Sequence, residues 1–422
     1  RSGRSVMPTT SLRRYGSGHA LRRAAWGGAT IALMSMPAAA VEVTAGDWTL
    51  SASGNVNVHY ISSSCEEETV PGVTGGLACR GAAGEDRTSS ISNGLLPAAL
   101  AISASTTQKG YDLSVTFGFY PGISTNDGSP NIGQGADSRN TALGTTGLDI
   151  RQVFLTFGNE SMGEFMLGRN IGLFGADAIL NDMTLPGVGA GNGNYATPSN
   201  TSLGSIGLGY IYPDWFAQIN YTTPDFAGFK LTIGIFDPLE PFGQPAAGAP
   251  PESSPGYHAK IAYTNGPVYV SASFISQKHE GFTDVGDFDS FGWDVGGKVT
   301  FGPVEVMGWY YQGEGIGTTG LFVLGSDGFG GERDSDGFLA QVTVKFGDLK
   351  VGVNYGESNL DLAPGELPSD LVETNKKYTV GAYYQLTENL TLLGEFTDTK
   401  SEAHNGIEND SSNFNIGAYL SF

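Results

Sequence analysis

Alternation with a period of two, repeated from residue 48 to the last residue, most constrains this chain. In "WTLSASGNVNVHYI", Trp48, Leu50, Ala52, Gly54, Val56, Val58 and Tyr60 share one face, and Thr49, Ser51, Ser53, Asn55, Asn57 and His59 share the other. "KYTVGAYYQL" and "NFNIGAYLSF" alternate in the same way. Such a pattern builds half-buried strands. The connections narrow the choice. Short ones ("QKG" at 108–110, "NESM" at 159–162, "NG" at 265–266, "GP" at 302–303, "GD" at 347–348 and "TEN" at 387–389) alternate with long polar ones at 62–94, 121–147, 170–213, 238–255, 278–287, 314–334, 359–373 and 400–411. Sixteen strands are predicted, near 48–60, 96–107, 111–120, 148–158, 163–169, 214–223, 228–237, 256–264, 267–277, 288–301, 303–313, 335–346, 349–358, 374–386, 389–399 and 412–422. Segments of about ten residues cross a bilayer when tilted. An even count with tight turns on one edge and long loops on the other describes an antiparallel transmembrane β-barrel of the outer-membrane type. Closure removes the sheet edges, and a wall of this size encloses water.

Residues 1–40 are read as a secretory leader: Arg13, Arg14, Arg22 and Arg23 precede the short apolar run "AAWGGATIALMSMP" and the small-residue site "AAA". The residues before Met7 are set aside, and 41–422 is read as one barrel domain. The leader carries six of the 22 basic residues and none of the 43 acidic ones, so the mature chain has 16 − 43 = −27. That charge excludes nucleic acid as a partner, because phosphate binding needs a basic face, and it draws cations. An exported chain meets an oxidising compartment, so Cys65 and Cys79 are expected to form a disulfide, the alternative being two free thiols. Aromatic residues near strand ends, among them Trp48, Tyr60, Phe119, Tyr263, Trp309 and Phe346, fit interfacial girdles, although β-propensity alone also enriches them.

Several stretches resemble the trimeric general porins of Gram-negative outer membranes. "GNVNVHY" is similar to the family's first strand, "RQVFLTFGNESMGEFMLGRN" at 151–170 to its fourth and fifth, and "NYTTPDFAGFKLTIGIF" at 220–236 to its sixth and seventh. The terminal Phe422 resembles the family's assembly signal. The resemblance implies a homotrimer among membrane lipid and lipopolysaccharide. It also implies that the third loop folds into the barrel and sets its acids against basic residues on the wall. In that loop, "NDMTLPG" resembles the acidic tip and places Asp182 at the constriction; Asp177 falls in the loop helix, as a constriction acid or a structural one. Arg151 and Arg169 match family arginines. Departures thin the basic wall: Asn55 stands where enterobacterial members carry lysine, Asp214 where they carry arginine, and Gly187 where a second loop acid is frequent.

By parity, Asn55, His59, Asp214, Gln218 and Asn220 point into the lumen, with Glu305 and Glu395 as further acids and Lys260, Lys298 and Lys345 opposing them. Arg151 shares parity with Val153, Leu155 and Phe157. Either the third loop covers those residues or a bulge shifts the parity. The loops add "CEEE" at 65–68, Asp284, Asp287, Glu332, Asp334, Asp336, Glu366 and Asp370. Rings of acids favour cations. The expected function is a water-filled channel for small hydrophilic solutes that prefers cations. The alternative is a pore specific for sugars or organic acids, for which Trp309, Tyr311 and Tyr383 offer an aromatic track.

An enzyme is not expected, because His59, His258, His279 and His404 sit in no recognisable motif. "GIGTTG" at 315–320 follows a strand but precedes no helix, which argues against a dinucleotide loop. "DSDG" at 334–337 lacks the terminal glutamate of a calcium loop. No cofactor is expected, with divalent cations bridging loop acids as the one candidate for a bound metal.

Overall fold

The computed structural model describes residues 40–66, 72–79, 86–123, 148–191, 201–239, 252–280 and 286–422. The leader, Glu67, Glu68 and Asp284 lie outside these residues. The strands, in chain order, are β1 (Val41–Ala45), β2 (Trp48–Cys65), β3 (Arg87–Ser92), β4 (Ala99–Gln108), β5 (Tyr111–Pro121), β6 (Leu148–Asn159), β7 (Gly163–Ile171), β8 (Trp215–Thr222), β9 (Phe229–Phe236), β10 (Gly256–Asn265), β11 (Val268–His279) and β12 (Phe288–Phe301). They continue with β13 (Val304–Glu314), β14 (Asp334–Phe346), β15 (Leu349–Leu360), β16 (Val372–Gln385), β17 (Leu390–Ala403) and β18 (Glu408–Ser421). One short helix, α1 (Ala176–Asn181), lies between β7 and β8.

Every pairing in the wall is antiparallel, and β18 closes onto β2 with Ser421 opposite Asn55. β3 pairs with the loop-end half of β2 and β4 with its turn-end half, so the two share one place in the wall. β1 forms a hairpin on the start of β2. The eighteen strands therefore make a closed 16-stranded barrel. Phe422 exchanges backbone hydrogen bonds with Gly54 at 2.9 and 3.0 Å, which continues the seam.

The predicted strands and parity hold for most of the wall. Val56, Val58 and Tyr60 face outward and are exposed, whereas Asn55, Asn57 and His59 face inward and are buried. Outward Val, Leu, Ile, Tyr and Phe meet lipid. Three boundaries differ. β2 runs on to Cys65, and β3 forms inside the segment expected as a loop, because Arg87–Ser92 pair with the end of β2 and extend the ladder. The expected long connection at 400–411 is a tight turn: β17 and β18 pair as far as Glu402 opposite Glu408, and Lys400 Nζ lies 2.5 Å from Glu408 Oε2.

The parity conflict at Arg151 is resolved by a bulge. Gly118 lies opposite Gln152 and Phe119 opposite Ile150, so Arg151 is an extra residue on β6. An extra residue shifts the alternation by one. Ile150 and Val153 face outward, while Arg151 and Gln152 are both buried on the inside.

Candidate functional site

The chain between β7 and β8 turns into the barrel. Its apolar face packs on the inner wall: Ile171, Ala176, Ala178, Ile179 and Leu185 form one cluster with Met307, Trp309 and Leu339. Burying each large side chain is worth on the order of 2 kcal/mol. Carboxylates then fix the segment's height and rotation. Asp294, on β12, accepts from Gly175 N at 2.7 Å and from Ser273 N and Oγ at 3.0 and 2.6 Å. Asp177, on α1, accepts from Lys260 Nζ at 3.0 Å, Tyr269 OH at 2.6 Å and Ser271 Oγ at 2.7 Å. Burial raises the Asp177 carboxyl, but Lys260 and the hydroxyls outweigh it and hold it below the usual carboxylate range.

Asp182 caps the end of α1. It is 3% exposed and accepts from Thr184 N at 2.9 Å, Tyr210 OH at 2.9 Å and Asn354 Nδ2 at 3.2 Å. Its carboxylate thus ties the loop tip both to the returning limb and to β15. Beyond the tip, Val188 N and Gly189 N both donate to Glu395 Oε2 at 2.8 Å. Tyr383 OH and Asn415 Nδ2 complete that carboxylate's shell at 2.6 and 3.1 Å. The acids of this apolar loop, together with two acids of the wall, dock it across the lumen.

The expected basic partners separate. Arg151 points inward, donates to Asp149 Oδ2 at 2.7 Å and lies over the Tyr120 ring at 5.2 Å. It steadies the foot of the loop through Tyr212 OH at 3.5 Å. Arg169 does not face the lumen. It lies opposite Val153 and Ala217 on the exposed outer face of the wall. Asp214 precedes β8 and has φ 55°, so strand parity does not reach it. Its Oδ1 accepts from Trp215 N at 2.6 Å.

Asn55, His59, Gln218, Asn220 and Glu395 face inward, as parity requires, but the folded-in segments bury them. Gln218 Nε2 donates to Asn170 O and Ile171 O at 2.7 and 2.9 Å, and Asn220 Oδ1 lies 2.8 Å from His258 Nε2. Trp309, Tyr311 and Tyr383 are 3%, 1% and 2% exposed, so they offer a passing sugar no track. Glu305 stays half-exposed, with Lys298 Nζ at 3.7 Å.

Sequence reasoning passed over two further inward segments. Residues 315–333, which hold "GIGTTG", bury Ile316 and Phe322 against Phe174 and Ile211, and Thr319 O accepts from Tyr212 N at 2.8 Å. The Cys65–Cys79 disulfide closes the other: Leu77 inserts and donates from its backbone to Asn375 Oδ1 at 3.0 Å and Ser401 Oγ at 2.9 Å. Their signal was the apolar content of segments taken as polar loops, such as "GLFVLG". Also passed over were Asp294, Lys350 and Lys377, all at inward parity on their strands.

Arg333 latches the 315–333 segment. It forms a two-pronged pair with Glu366 at 2.8 and 2.5 Å and donates to Leu324 O and Ser326 O at 2.9 and 2.7 Å. The hydrogen bonds from Arg333 hold the Glu366 carboxyl below its usual range. A depressed carboxyl stabilises above its unfolded value and loses that contribution as pH falls through the folded one. The latch should therefore stay closed at neutral pH and weaken below about pH 4. Closure events in single-channel records at pH 7 and pH 3.5 check this, and Arg333→Ala should show the acid behaviour already at pH 7.

Among the described residues no three His, Cys, Asp or Glu side chains are placed to share a metal ion.

A closed wall of this size with a segment tied across its lumen defines a pore-forming outer-membrane barrel. The chain matches the Gram-negative porin family model over residues 28–404 and belongs to that family. It is an integral outer-membrane protein that forms a channel for solute diffusion. Solved structures share the fold at low identity. The outer membrane channel DcaP of Acinetobacter baumannii has a TM-score of 0.65 and 14% identity, over 90% of this chain and 99% of that one. The anion-selective porin from Comamonas acidovorans has a TM-score of 0.60 and 16% identity, over 89% and 100%. OmpF of Salmonella typhi has a TM-score of 0.55 and 12% identity, over 90% and 100%. No curated protein matches the sequence.

Proposed function

We propose that this porin passes small hydrophilic solutes with a weak preference for cations, and that the preference arises at its loop end. One observation carries the reading. Exposed carboxylates crowd that end, among them Glu66, Asp86, Asp237, Asp287, Asp361 and Asp370, against exposed Arg87 and Lys278. At the loop tip, by contrast, Asp177 and Asp182 are consumed by docking contacts. Fixed surface charge enriches counter-ions at a pore entrance, and the Debye length sets its reach, about 10 Å at 0.1 M salt and about 3 Å at 1 M.

The reversal potential in a potassium chloride gradient should therefore show potassium preference at 0.1 M that fades toward none at 1 M. Asp361→Asn with Asp370→Asn should reduce it more than Asp182→Asn with Asp214→Asn. Anion preference at low salt would refute the proposal. The family resemblance further supports a homotrimer set in lipid and lipopolysaccharide. An unheated sample that runs as three subunits on a denaturing gel, and as one after boiling, is the expected result.

A further inference from the structure

Beneath the loop tip a cleft opens against the inner wall of β12–β15. Lys298, Lys350, Glu305, Gln341, Thr343 and Tyr419 line it. Three features distinguish it from ordinary wall. Lys350 has no carboxylate within 4 Å among the described residues; its Nζ lies 4.8 Å from the Tyr383 ring centroid. Lys298 has only the long 3.7 Å contact with Glu305, both side chains being about one-third exposed. The Tyr419 hydroxyl is buried without a hydrogen-bond partner. Asp182 also borders the cleft, but its oxygens are occupied by Tyr210, Thr184 and Asn354.

We propose that this cleft is a binding subsite for a small polyhydroxylated organic acid. The inference rests on the channel reading above and adds a solute class to it. Lys350 and Lys298 stand three strands apart and four residues out of register, roughly 19 Å between their backbones, and both side chains reach the same cleft. A solute carboxylate placed on the Lys350 ammonium gains a charge-assisted hydrogen bond where the surrounding wall limits solvent screening, and Lys298 meets the other end of an extended solute. Hydroxyls along the solute then donate to Glu305 and meet the Thr343 and Tyr419 hydroxyls. Because the cleft lies deep inside, the salt that screens the acidic mouth screens it less. A neutral polyol has the same hydroxyls but leaves the Lys350 ammonium without a counter-charge.

The test is solute block of ion current in planar bilayers, with sodium gluconate or sorbitol added to both compartments of 0.1 M potassium chloride. Gluconate should interrupt the current in a concentration-dependent way, at concentrations about tenfold below any effect of sorbitol, as expected for a charge-assisted contact. Lys298→Gln with Lys350→Gln should bring gluconate to the level of sorbitol, and Lys350→Arg should retain the difference. Gel mobility before and after heating reports whether each variant has assembled. Equal block by gluconate and sorbitol in the unaltered protein, or unchanged gluconate block in an assembled double variant, would overturn the proposal. A protein that conducts and prefers cations without gluconate block refutes this subsite alone. A protein that does not conduct refutes the channel reading itself.

Discussion

Glu395→Ala should release the loop tip and raise single-channel conductance, with a noisier open state. The wild-type carboxylate holds Val188 N and Gly189 N, each at 2.8 Å, and is itself 2% exposed. Alanine leaves two buried N–H groups, the Tyr383 hydroxyl and the Asn415 amide short of an acceptor. Each buried polar group left unmatched costs about 1–3 kcal/mol. By the same count the docked conformation should lose at least about 4 kcal/mol, enough to populate undocked states of a segment also tied at Asp177, Asp182, Asp294, Gln341 and Asn413. The barrel wall does not depend on these contacts, so the heat-resistant gel band should remain. Glu395→Gln keeps a carbonyl acceptor and should fall between the two. Conductance equal to wild type in Glu395→Ala would show that the Glu395 contacts do not hold the tip.

Gly94→Ala should perturb the same tip from the opposite side with a single methyl group. Gly94 lies where the chain between β3 and β4 meets the inward loop. Leu95 N donates to Gly187 O at 2.7 Å, and Ser202 N donates to Gly94 O at 2.8 Å. A Cβ at position 94 would sit 2.0 Å from Gly187 O, a backbone atom with no rotamer to escape through. Overpacking of this kind costs about 1–3 kcal/mol, and relief requires the loop to move off the wall. The expected signature is a conductance shift accompanied by faster proteolysis within 171–214, with the barrel intact. Gly308→Ala is the control, because its added methyl group meets nothing within 4 Å. Equal behaviour of the two variants would show that the contact at Gly94 is not tight.

The first prediction concerns a residue that parity placed on the inside but whose task it did not reveal. Alternation is a property of each strand by itself, so Glu395 could be placed inward from its own neighbours. That it would cap two amides of a segment some 200 residues away in the chain is not a local property. Arg151 shows the limit from another side. Its parity contradicted its expected direction, and one unmatched residue opposite Gly118 and Phe119 reversed it. A bulge is a relation between two strands, and no single strand carries its mark.

The acids of the third loop show the same division. The apolar run with Asp177 and Asp182 was visible in the sequence as a segment unsuited to the surface. The expectation that Asp182 would face the channel came from resemblance to the family. The hydroxyls and amides of Tyr210, Tyr269, Ser271 and Asn354 changed that outcome by satisfying both carboxylates within the protein. Arg169, which resemblance placed against those acids, stands on the outer face because its neighbours across the ladder, Val153 and Ala217, do.

The amino-acid sequence by itself determined the closed barrel, its number of wall strands and the direction of most side chains. These follow from period-two alternation and from the lengths of connections, which act locally along the chain. Tertiary structure alone decided which charges remain open to solutes. Three segments fold inward together, and whether a carboxylate or an ammonium group is consumed or left free depends on which of them it meets. Asp177 met Lys260, while Lys350 met only the face of an aromatic ring.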